Sequence, residues 1–384
     1  MELSSFNINN GFAEGIVRGL RSGFLGPEEY RRFAQCDNLE DLRSALDDTD
    51  YAGFMQDEPS PIPVSSVEIK ARQRLAEDFK YLRGQGVQPL HKFMEFITID
   101  KMIDNVMALL QGTVNGKPPK ELLAKVDPLG YFEEMKTIPS MGVDSGYDDI
   151  YKTILIDTPV GPYFEEFLRT IGSEEGKSMA EVGTILSETD LELMKNVMKK
   201  AWLEDFYSFT QGLGGTTAEV MGHILRMEAD FRTMMITLNA LNTPLASQAN
   251  QGERNKLYPS FGYLYPEGTA KLEKAWNEGT VRAALESCGA AKHVQLFDQV
   301  KAFYDAESRG KDGANKSIED LIYVELGYLY ELAFEQQMNY AVFYAFVKLK
   351  EQEIRNLRWI SNMIVMNRKD QADEIVPIFA PRGA

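Results

Sequence analysis

One segment of this chain occurs twice, far apart in the sequence. Residues 23–46 read GFLGPEEYRRFAQCDNLEDLRSAL, and residues 262–285 read GYLYPEGTAKLEKAWNEGTVRAAL. Aligned without a gap, the two copies share Gly23/Gly262, Leu25/Leu264, Pro27/Pro266, Glu28/Glu267, Asn38/Asn277, Arg43/Arg282, Ala45/Ala284 and Leu46/Leu285. The shared proline suits the first position of a helix, and the shared asparagine suits the N-terminal cap of the next helix. The repeat therefore predicts a helical hairpin that the chain builds twice.

A second pattern occurs three times, at intervals close to a third of the 384 residues. It begins with an acidic residue, continues with an apolar residue three places later and then a polar pair, and is found at Asp100–Asn105, Glu228–Thr233 and Glu351–Asn356. Repeats of this kind usually stack into arrays or ring segments rather than form one catalytic cleft. We therefore predict three related helical units, 1–115, 116–245 and 246–384, although helical sequences also resemble each other by chance.

Helical periodicity dominates the rest of the sequence. Between Phe343 and Ile360 the apolar residues recur at helical spacing, which predicts a long amphipathic helix. The best strand signal, Thr153–Ile156, is short, and a fainter copy of the repeated hairpin falls on nearly the same residues, 149–158. The sequence thus predicts an all-α fold of three related helical-bundle units.

The charge of the chain restricts its partners. Its formal net charge is −17, and a field of that sign repels phosphate backbones, which argues against nucleic acid and favours a basic protein surface. The longest apolar run, Tyr340–Val347, is far shorter than the roughly 20 residues that cross a bilayer. The N-terminus lacks the basic start and apolar core of a signal peptide. We therefore expect a cytosolic protein that reaches any membrane through its partners.

Residues that could bind a metal or act as nucleophiles are sparse. The histidines, His91, His223 and His293, have no second histidine or cysteine at a metal-ligand spacing. The cysteines, Cys36 and Cys288, match no nucleophile signature and cannot form a disulfide framework, which fits a reducing compartment. We predict no metal, no cofactor and no catalytic residue.

The segment Asp47-Asp-Thr-Asp50 is similar to the acidic cluster that holds Mg²⁺ against a diphosphate in all-helical isoprenoid enzymes. Such a site needs carboxylates on one helix face and a second acidic cluster opposite. Asp47, Asp48 and Asp50 fall at the predicted end of a helix, and the second cluster, Asp144–Asp149, is interrupted by glycine. A solvated acidic loop is the better interpretation, and an isoprenoid diphosphate enzyme is the alternative.

The glycine-rich segment 212–220 reads GLGGTTAEV and is similar at first sight to a loop that binds phosphate. A Walker loop requires a lysine directly before its serine or threonine, because the lysine reaches the terminal phosphates. This segment has no lysine. We predict instead that Thr216 or Thr217 caps the helix that carries Glu219.

Longer segments of the chain carry a resemblance to a known family. They are Tyr151–Pro159, Leu213–Met221, Leu257–Gly268 and Val342–Ile360. All of them resemble the subunit d family of the eukaryotic vacuolar-type proton-translocating ATPases. The resemblance extends over nearly the whole chain, and the Lys348–Trp359 stretch is its most specific part.

The resemblance implies a non-catalytic, all-helical subunit whose three related units form a funnel. In this family the subunit sits on the cytosolic face of the proteolipid c-ring and receives the tip of the central stalk, subunits D and F. Subunit a is a further neighbour, and each complex contains one copy. ATP hydrolysis and proton transfer take place on other subunits, so the resemblance implies no cofactor. It also implies a peripheral protein on vacuolar or other acidified endomembranes; a free helical-repeat scaffold is another alternative.

The densest mixed-charge segment runs from Lys348 to Arg358 and also contains Lys350 and Glu353. Its charged side chains either face solvent, pair with one another or dock a partner. An acidic residue stands four places before an arginine at Glu228/Arg232 and again at Glu351/Arg355, which predicts ion pairs within each unit. The resemblance places the partner interfaces at the two funnel mouths without naming side chains. We take as candidate interface residues Lys348, Glu351, Arg355 and Arg232, with internal ion pairs as the alternative.

The chain departs from the family pattern near these positions. Phe231 stands where the family usually has the first of two arginines, which leaves Arg232 alone. Arg358 occupies a site that is usually apolar, and residues 380–384 extend past the usual end of the chain.

Overall fold

The computed structural model describes residues 3–140, 150, 152, 155–175, 188–241, 243, 254–308, 318–372 and 374–379. None of these residues lies in a β-strand, and the regular structure is helical, which confirms the all-α prediction. Of the predicted strand, Thr153 and Ile154 lie outside the described residues, while Leu155 is helical and Ile156 is in a turn. None of the helices in the described ranges has the length and apolar character needed to cross a bilayer.

The described helices are numbered in chain order. In the first half they are α1 (Leu3–Arg21), α2 (Pro27–Ala34), α3 (Leu39–Leu46), α4 (Val64–Gln85), α5 (Leu90–Val114), α6 (Pro119–Ala124) and α7 (Gly161–Glu175). In the second half they are α8 (Glu188–Leu213), α9 (Gly215–Ala240), α10 (Glu267–Glu273), α11 (Glu278–Ser287), α12 (Ala291–Ser308), α13 (Ile318–Glu335) and α14 (Ala341–Val365). Short 3₁₀ helices are formed by Pro128–Gly130, Glu133–Ser140 and Lys369–Gln371.

Helix α14 lies at the centre of the fold. It packs against α4 and α13 and also contacts α1, α5 and α9. Residues 341–347 are all buried, as expected for a helix that others surround on every side. Lys350 and Glu353 are buried as well and pair with each other at 2.6 Å, so for these two residues the internally paired interpretation is confirmed and the solvated one is wrong.

A continuous set of aromatic contacts joins the predicted units. The ring centroids of Phe6 on α1 and Tyr340 are 5.2 Å apart, and those of Phe93 on α5 and Tyr340 are 5.6 Å apart. Phe93 also lies 5.3 Å from Phe206 on α8, which in turn lies 5.7 Å from Tyr344 on α14. The hydrophobic core therefore runs through all three predicted units. Their boundaries, 1–115, 116–245 and 246–384, stay a prediction.

The two copies of the repeated hairpin are capped in the same way. The side-chain oxygen of Asn38 accepts a hydrogen bond from the Asp41 amide at 2.9 Å, and that of Asn277 accepts one from the Thr280 amide at 2.8 Å. Both predicted caps are thus confirmed. Pro27 is the first residue of α2, also as predicted, whereas Pro266 is the N-cap of α10, one position earlier than predicted.

The two hairpins also dock in the same way. The Leu25 amide donates to the Glu353 carboxylate at 2.6 Å, and the Leu264 amide donates to the Asp230 carboxylate at 3.0 Å. Leu25 and Leu264 are aligned in the repeat, and Glu353 and Asp230 are both third residues of the acidic pattern. Each hairpin is therefore held by an aligned acid on a long helix. In the first copy of the pattern Met102 stands at this position, and the fainter hairpin at 149–158 lies partly outside the described residues.

The carboxylate of Glu353 is fully buried and its bonds are satisfied by the protein. Besides the Leu25 amide, it accepts hydrogen bonds from the Tyr51 hydroxyl at 2.7 Å and from the Lys350 ammonium at 2.6 Å. The Lys350 ammonium also lies 4.8 Å from the centre of the Phe24 ring, a favourable cation–π position. These contacts fasten the N-terminal hairpin to the last long helix of the chain.

We expect Glu353→Gln to lower the free energy of unfolding by about 3–5 kcal/mol, because the buried Lys350 ammonium loses its counter-ion. Urea unfolding followed by circular dichroism measures the change. Glu28→Gln, which breaks an exposed pair with Arg31 in the same hairpin, is the control and should change stability by less than about 0.5 kcal/mol. Equal effects of the two variants would contradict the assigned role of Glu353.

Candidate functional site

The four candidate interface residues line two neighbouring cavities. A polar cleft of 540 Å³ is lined by Glu351 and Arg355 on α14 together with residues of α4, α5 and α13. An inner pocket of 250 Å³ is lined by Arg232 on α9 and Lys348 on α14. Tyr323 of α13 lines both cavities. The structure thus brings the four residues into one region, around α14 and α13.

In the polar cleft each charged residue of α14 pairs with a different helix. The Glu351 carboxylate lies 2.8 Å from the Lys101 ammonium on α5, and the Arg355 guanidinium lies 2.5 Å from the Asp320 carboxylate on α13. The predicted pair between Glu351 and Arg355 is wrong, since both side chains reach outward to neighbouring helices. The ion pairs join α14 to its neighbours rather than strengthen α14 alone.

Lys348 lies behind the cleft, in a cluster of buried charges. Its ammonium is 3.7 Å from the Asp100 carboxylate of α5. The Asp100 carboxylate also accepts a hydrogen bond from the ammonium group of Lys199 on α8. The same ammonium donates to the backbone carbonyl of Asp100 at 2.8 Å and to the Asp104 carboxylate at 2.9 Å. Asp100 therefore bridges lysines from two different helices.

The pKa values of this cluster favour the charged forms. Burial alone would lower the pKa of Lys348, but the carboxylates of Glu351, Asp100 and Glu228 outweigh it and hold that pKa well above its ordinary value. Burial would raise the pKa of Asp100, but Lys199, Lys348 and other nearby ammonium groups hold it well below its ordinary value. Asp100 thus stays ionised to low pH, and Lys348 stays protonated to high pH.

The three acids that act on Lys348 occupy one aligned position in the sequence. Asp100, Glu228 and Glu351 are the first residues of the three copies of the acidic pattern. The sequence pattern contains both Asp100 and Glu228, but neither was predicted as an interface residue, and Glu228 was predicted only to pair with Arg232. Their alignment with Glu351 was the signal that could have found them, whereas nothing in the sequence points to Lys101 or Lys199.

Glu228 and Arg232 line the inner pocket but do not pair with each other. The Glu228 carboxylate accepts hydrogen bonds from the hydroxyls of Tyr330 and Tyr344, each at 2.7 Å, and burial raises its pKa. The Arg232 guanidinium donates instead to the backbone carbonyl of Asn196 at 3.1 Å. The predicted pair between Glu228 and Arg232 is therefore wrong.

The candidate residues differ in their access to solvent. The side chains of Lys348 and Glu351 are 17% and 10% exposed, whereas that of Arg355 is 39% exposed. Lys348, Glu351 and Arg355 all form internal ion pairs, which was the alternative to an interface role. Their contact with a partner stays a prediction, and Arg355 is the most accessible of these three.

The acidic segment 47–50 is not arranged for a diphosphate. Asp47 ends α3 and accepts a hydrogen bond from the Gly53 amide at 3.1 Å, and Asp48 pairs with Arg32 at 2.9 Å. The opposing cluster, Asp144–Asp149, lies outside the described residues. Where the structure describes the chain, no three His, Cys, Asp or Glu side chains are grouped so that they could hold a metal ion.

The glycine-rich segment contains the one-residue turn, Gly214, that connects α8 to α9. Gly214 is the N-cap of α9, with φ of 67°, a left-handed conformation that favours glycine. No side chain caps the helix, so the predicted cap by Thr216 or Thr217 is wrong. The Thr217 hydroxyl accepts a hydrogen bond from the Tyr340 amide at 3.0 Å and so attaches α9 to the start of α14.

We expect Asp100→Asn to lower the free energy of unfolding by about 3–5 kcal/mol at pH 7, since Lys199 and Lys348 lose a buried counter-ion. The pKa of Asp100 is lower in the folded chain, so the unfolded chain binds more protons and this contribution is lost as pH falls below about 4. The difference between wild type and variant should therefore shrink between pH 5 and pH 3, measured by urea unfolding. Asp48→Asn, in an exposed pair, is the control; an equal pH dependence in both variants would contradict the assignment.

Comparisons with known proteins cover nearly the whole chain. The family model described as ATP synthase (C/AC39) subunit matches residues 13–375. The V-type proton ATPase subunit d of Dictyostelium discoideum is 40% identical over 379 residues, which cover 98% of this chain and 97% of the relative. A probable V-type proton ATPase subunit d of Oryza sativa subsp. japonica is 38% identical, covering 98% of this chain and 99% of the relative. The V-type proton ATPase subunit d of Saccharomyces cerevisiae is 34% identical, covering 99% and 100%. The chain belongs to the ATP synthase (C/AC39) subunit family.

Proposed function

We propose that this chain is a non-catalytic subunit of a V-type proton ATPase, in the place that subunit d takes in its relatives. The observation that carries the proposal is the extent of the similarity, which covers 98% of this chain and 97% of the Dictyostelium discoideum relative. ATP hydrolysis and proton transfer then take place on other subunits.

Within the complex we place the chain on the cytosolic face of the proteolipid c-ring, where it couples the central stalk to the ring. Its partners are the c-ring subunits, stalk subunits D and F, and subunit a, with one copy in each complex. Membrane association then comes through these partners, at vacuolar or other acidified endomembranes. The net charge of −17 suits a partner surface of opposite charge.

A coupling subunit has to resist deformation, and the charge cluster supports that role. Lys199 on α8 and Lys348 on α14 both contact Asp100 on α5, and Lys101 on α5 contacts Glu351 on α14. These ions lie in an interior that solvates charge poorly. Separating the helices would leave each ion there without its partner, which costs free energy. Torque applied to one helix is thereby passed to its neighbours.

We also propose that the three units, 1–115, 116–245 and 246–384, are arranged as a funnel. The equivalent docking of the two hairpins and the convergence of three aligned acids on Lys348 both support an arrangement of related units around α14. Among the candidate interface residues, Arg355 faces solvent at the polar cleft and is the first choice for a partner contact. Lys348 and Glu351 lie deeper and reach a partner through the cavities.

The proposal predicts that affinity-tagged chain, recovered from gently solubilised endomembranes, brings down the proteolipid and the stalk subunits in constant ratio. Mass spectrometry of the eluate measures these partners, and membranes from cells that express the tag alone are the control. A chain that is recovered alone, while the other ATPase subunits in the same extract stay assembled, would exclude the proposed function. A free scaffold would remain in the soluble fraction.

A further inference from the structure

The inner pocket has a cationic floor that the chain itself leaves partly unpaired. Arg232 contributes its guanidinium and Lys348 its ammonium, and both side chains line the 250 Å³ pocket between α9, α13 and α14. At about 30 Å³ for one water molecule, this volume holds several waters or one carboxylate side chain.

Arg232 is the unsatisfied member of the pair. Its Nη2 donates to the carbonyl and the side-chain oxygen of Asn196, at 3.1 and 3.2 Å. Its Nε is buried and has no hydrogen-bond partner. Within the described part of the chain no carboxylate lies at ion-pair distance from Arg232, and burial lowers its pKa to about 10. Asp100 and Asp104 favour its charged form only from beyond ion-pair distance, so a carboxylate that enters the pocket and bonds the guanidinium directly would stabilise the charge further.

The acid already in the pocket does not serve as that counter-ion. Glu228 accepts hydrogen bonds from the hydroxyls of Tyr330 and Tyr344, so its oxygens are engaged on the side of α13 and α14. Lys348 has Asp100 as its nearest ion-pair partner, at 3.7 Å, which is long for a charge-assisted hydrogen bond. The floor therefore retains donors for one further anionic group.

The rim of the pocket indicates what kind of molecule carries that group. Met235 on α9 and Ile322 and Leu326 on α13 line the pocket and are partly exposed. An apolar rim around a charged floor fits a protein side chain that is flanked by apolar residues, as at the centre of protein interfaces. A phosphate group carries more charge and more acceptor oxygens than a carboxylate, and the apolar rim offers those oxygens no donors.

We propose that the inner pocket binds an aspartate or glutamate side chain of a partner subunit, presented between apolar residues of a partner helix. The carboxylate accepts hydrogen bonds from the Arg232 guanidinium and from the Lys348 ammonium, while the neighbouring apolar residues cover Met235, Ile322 and Leu326. The inference rests on the proposed function, because the partner is a subunit of the ATPase complex that contains this chain.

Carbodiimide cross-linking of the purified wild-type complex tests the proposal directly. The reagent activates a carboxylate, an adjacent lysine amine then forms an amide with it, and the carbodiimide leaves as a urea. The expected product joins Lys348 to an aspartate or glutamate of another subunit, identified by mass spectrometry of the cross-linked peptides. Arg232→Lys places a second amine in the pocket and should add a cross-link from position 232 to the same acid.

The outcomes separate the two proposals. Cross-links from both positions that stay within this chain, for example to Asp100 or Asp104, would overturn the pocket proposal while the complex itself remains intact. Failure of the chain to co-purify with any ATPase subunit would overturn the proposed function and the pocket proposal together. A cross-link to a partner acid that lacks apolar neighbours would overturn the proposed kind of partner segment.

A matched pair of variants gives an independent readout. Arg232→Gln keeps hydrogen-bond donors but removes the charge, and it should weaken retention of the chain in the complex by at least about tenfold. Arg169→Gln, on exposed Arg169 at 2.6 Å from Glu165, is the control and should leave retention unchanged. Thermal unfolding of both isolated chains checks that they fold; equal retention of two folded variants would contradict the proposal.

Discussion

The attachment of α14 to the rest of the fold depends on the ammonium group of Lys348 and the acids around it. Asp100, Glu228 and Glu351 come from three different parts of the chain, and together they keep Lys348 charged although it is buried. A buried charge is tolerated when opposite charges and hydrogen bonds surround it. Moving any one of the three acids away would therefore leave the charge of Lys348 less well compensated. The central helix therefore has one energetically favoured placement among α5, α9 and α13.

Much of this arrangement was accessible from the sequence, because it repeats. The helical hairpins with their asparagine caps, the long helix from Ala341 to Val365 and the all-α fold were all predicted from periodicity and alignment. Local rules work here since a cap or a helical period is decided by residues a few positions apart. The family was recognised for the same reason, from contiguous segments such as Lys348–Trp359.

The pairing of charges was not accessible from the sequence. Spacing predicted bonds from Glu228 to Arg232 and from Glu351 to Arg355, yet Glu351 meets Lys101 and Arg355 meets Asp320. An i,i+4 pair on a helix surface is worth only about 0.2–0.5 kcal/mol, so a partner from another helix in a buried site easily replaces it. Which partner replaces it depends on the packing of segments that are distant in the sequence. The burial of Lys350 and Glu353 was not predicted for the same reason, since burial also depends on that packing.

The docking of the first hairpin has a consequence for the synthesis of the chain. The Leu25 amide finds its acceptor on Glu353, 328 positions later. At roughly 5–20 residues per second, the ribosome delivers that acceptor some tens of seconds after the hairpin has emerged. During this interval the buried leucines of α3 lack the contacts that α14 will provide. The N-terminal segment is thus the first to be made and among the last to be completed, and the newborn chain needs protection at its beginning rather than at its end.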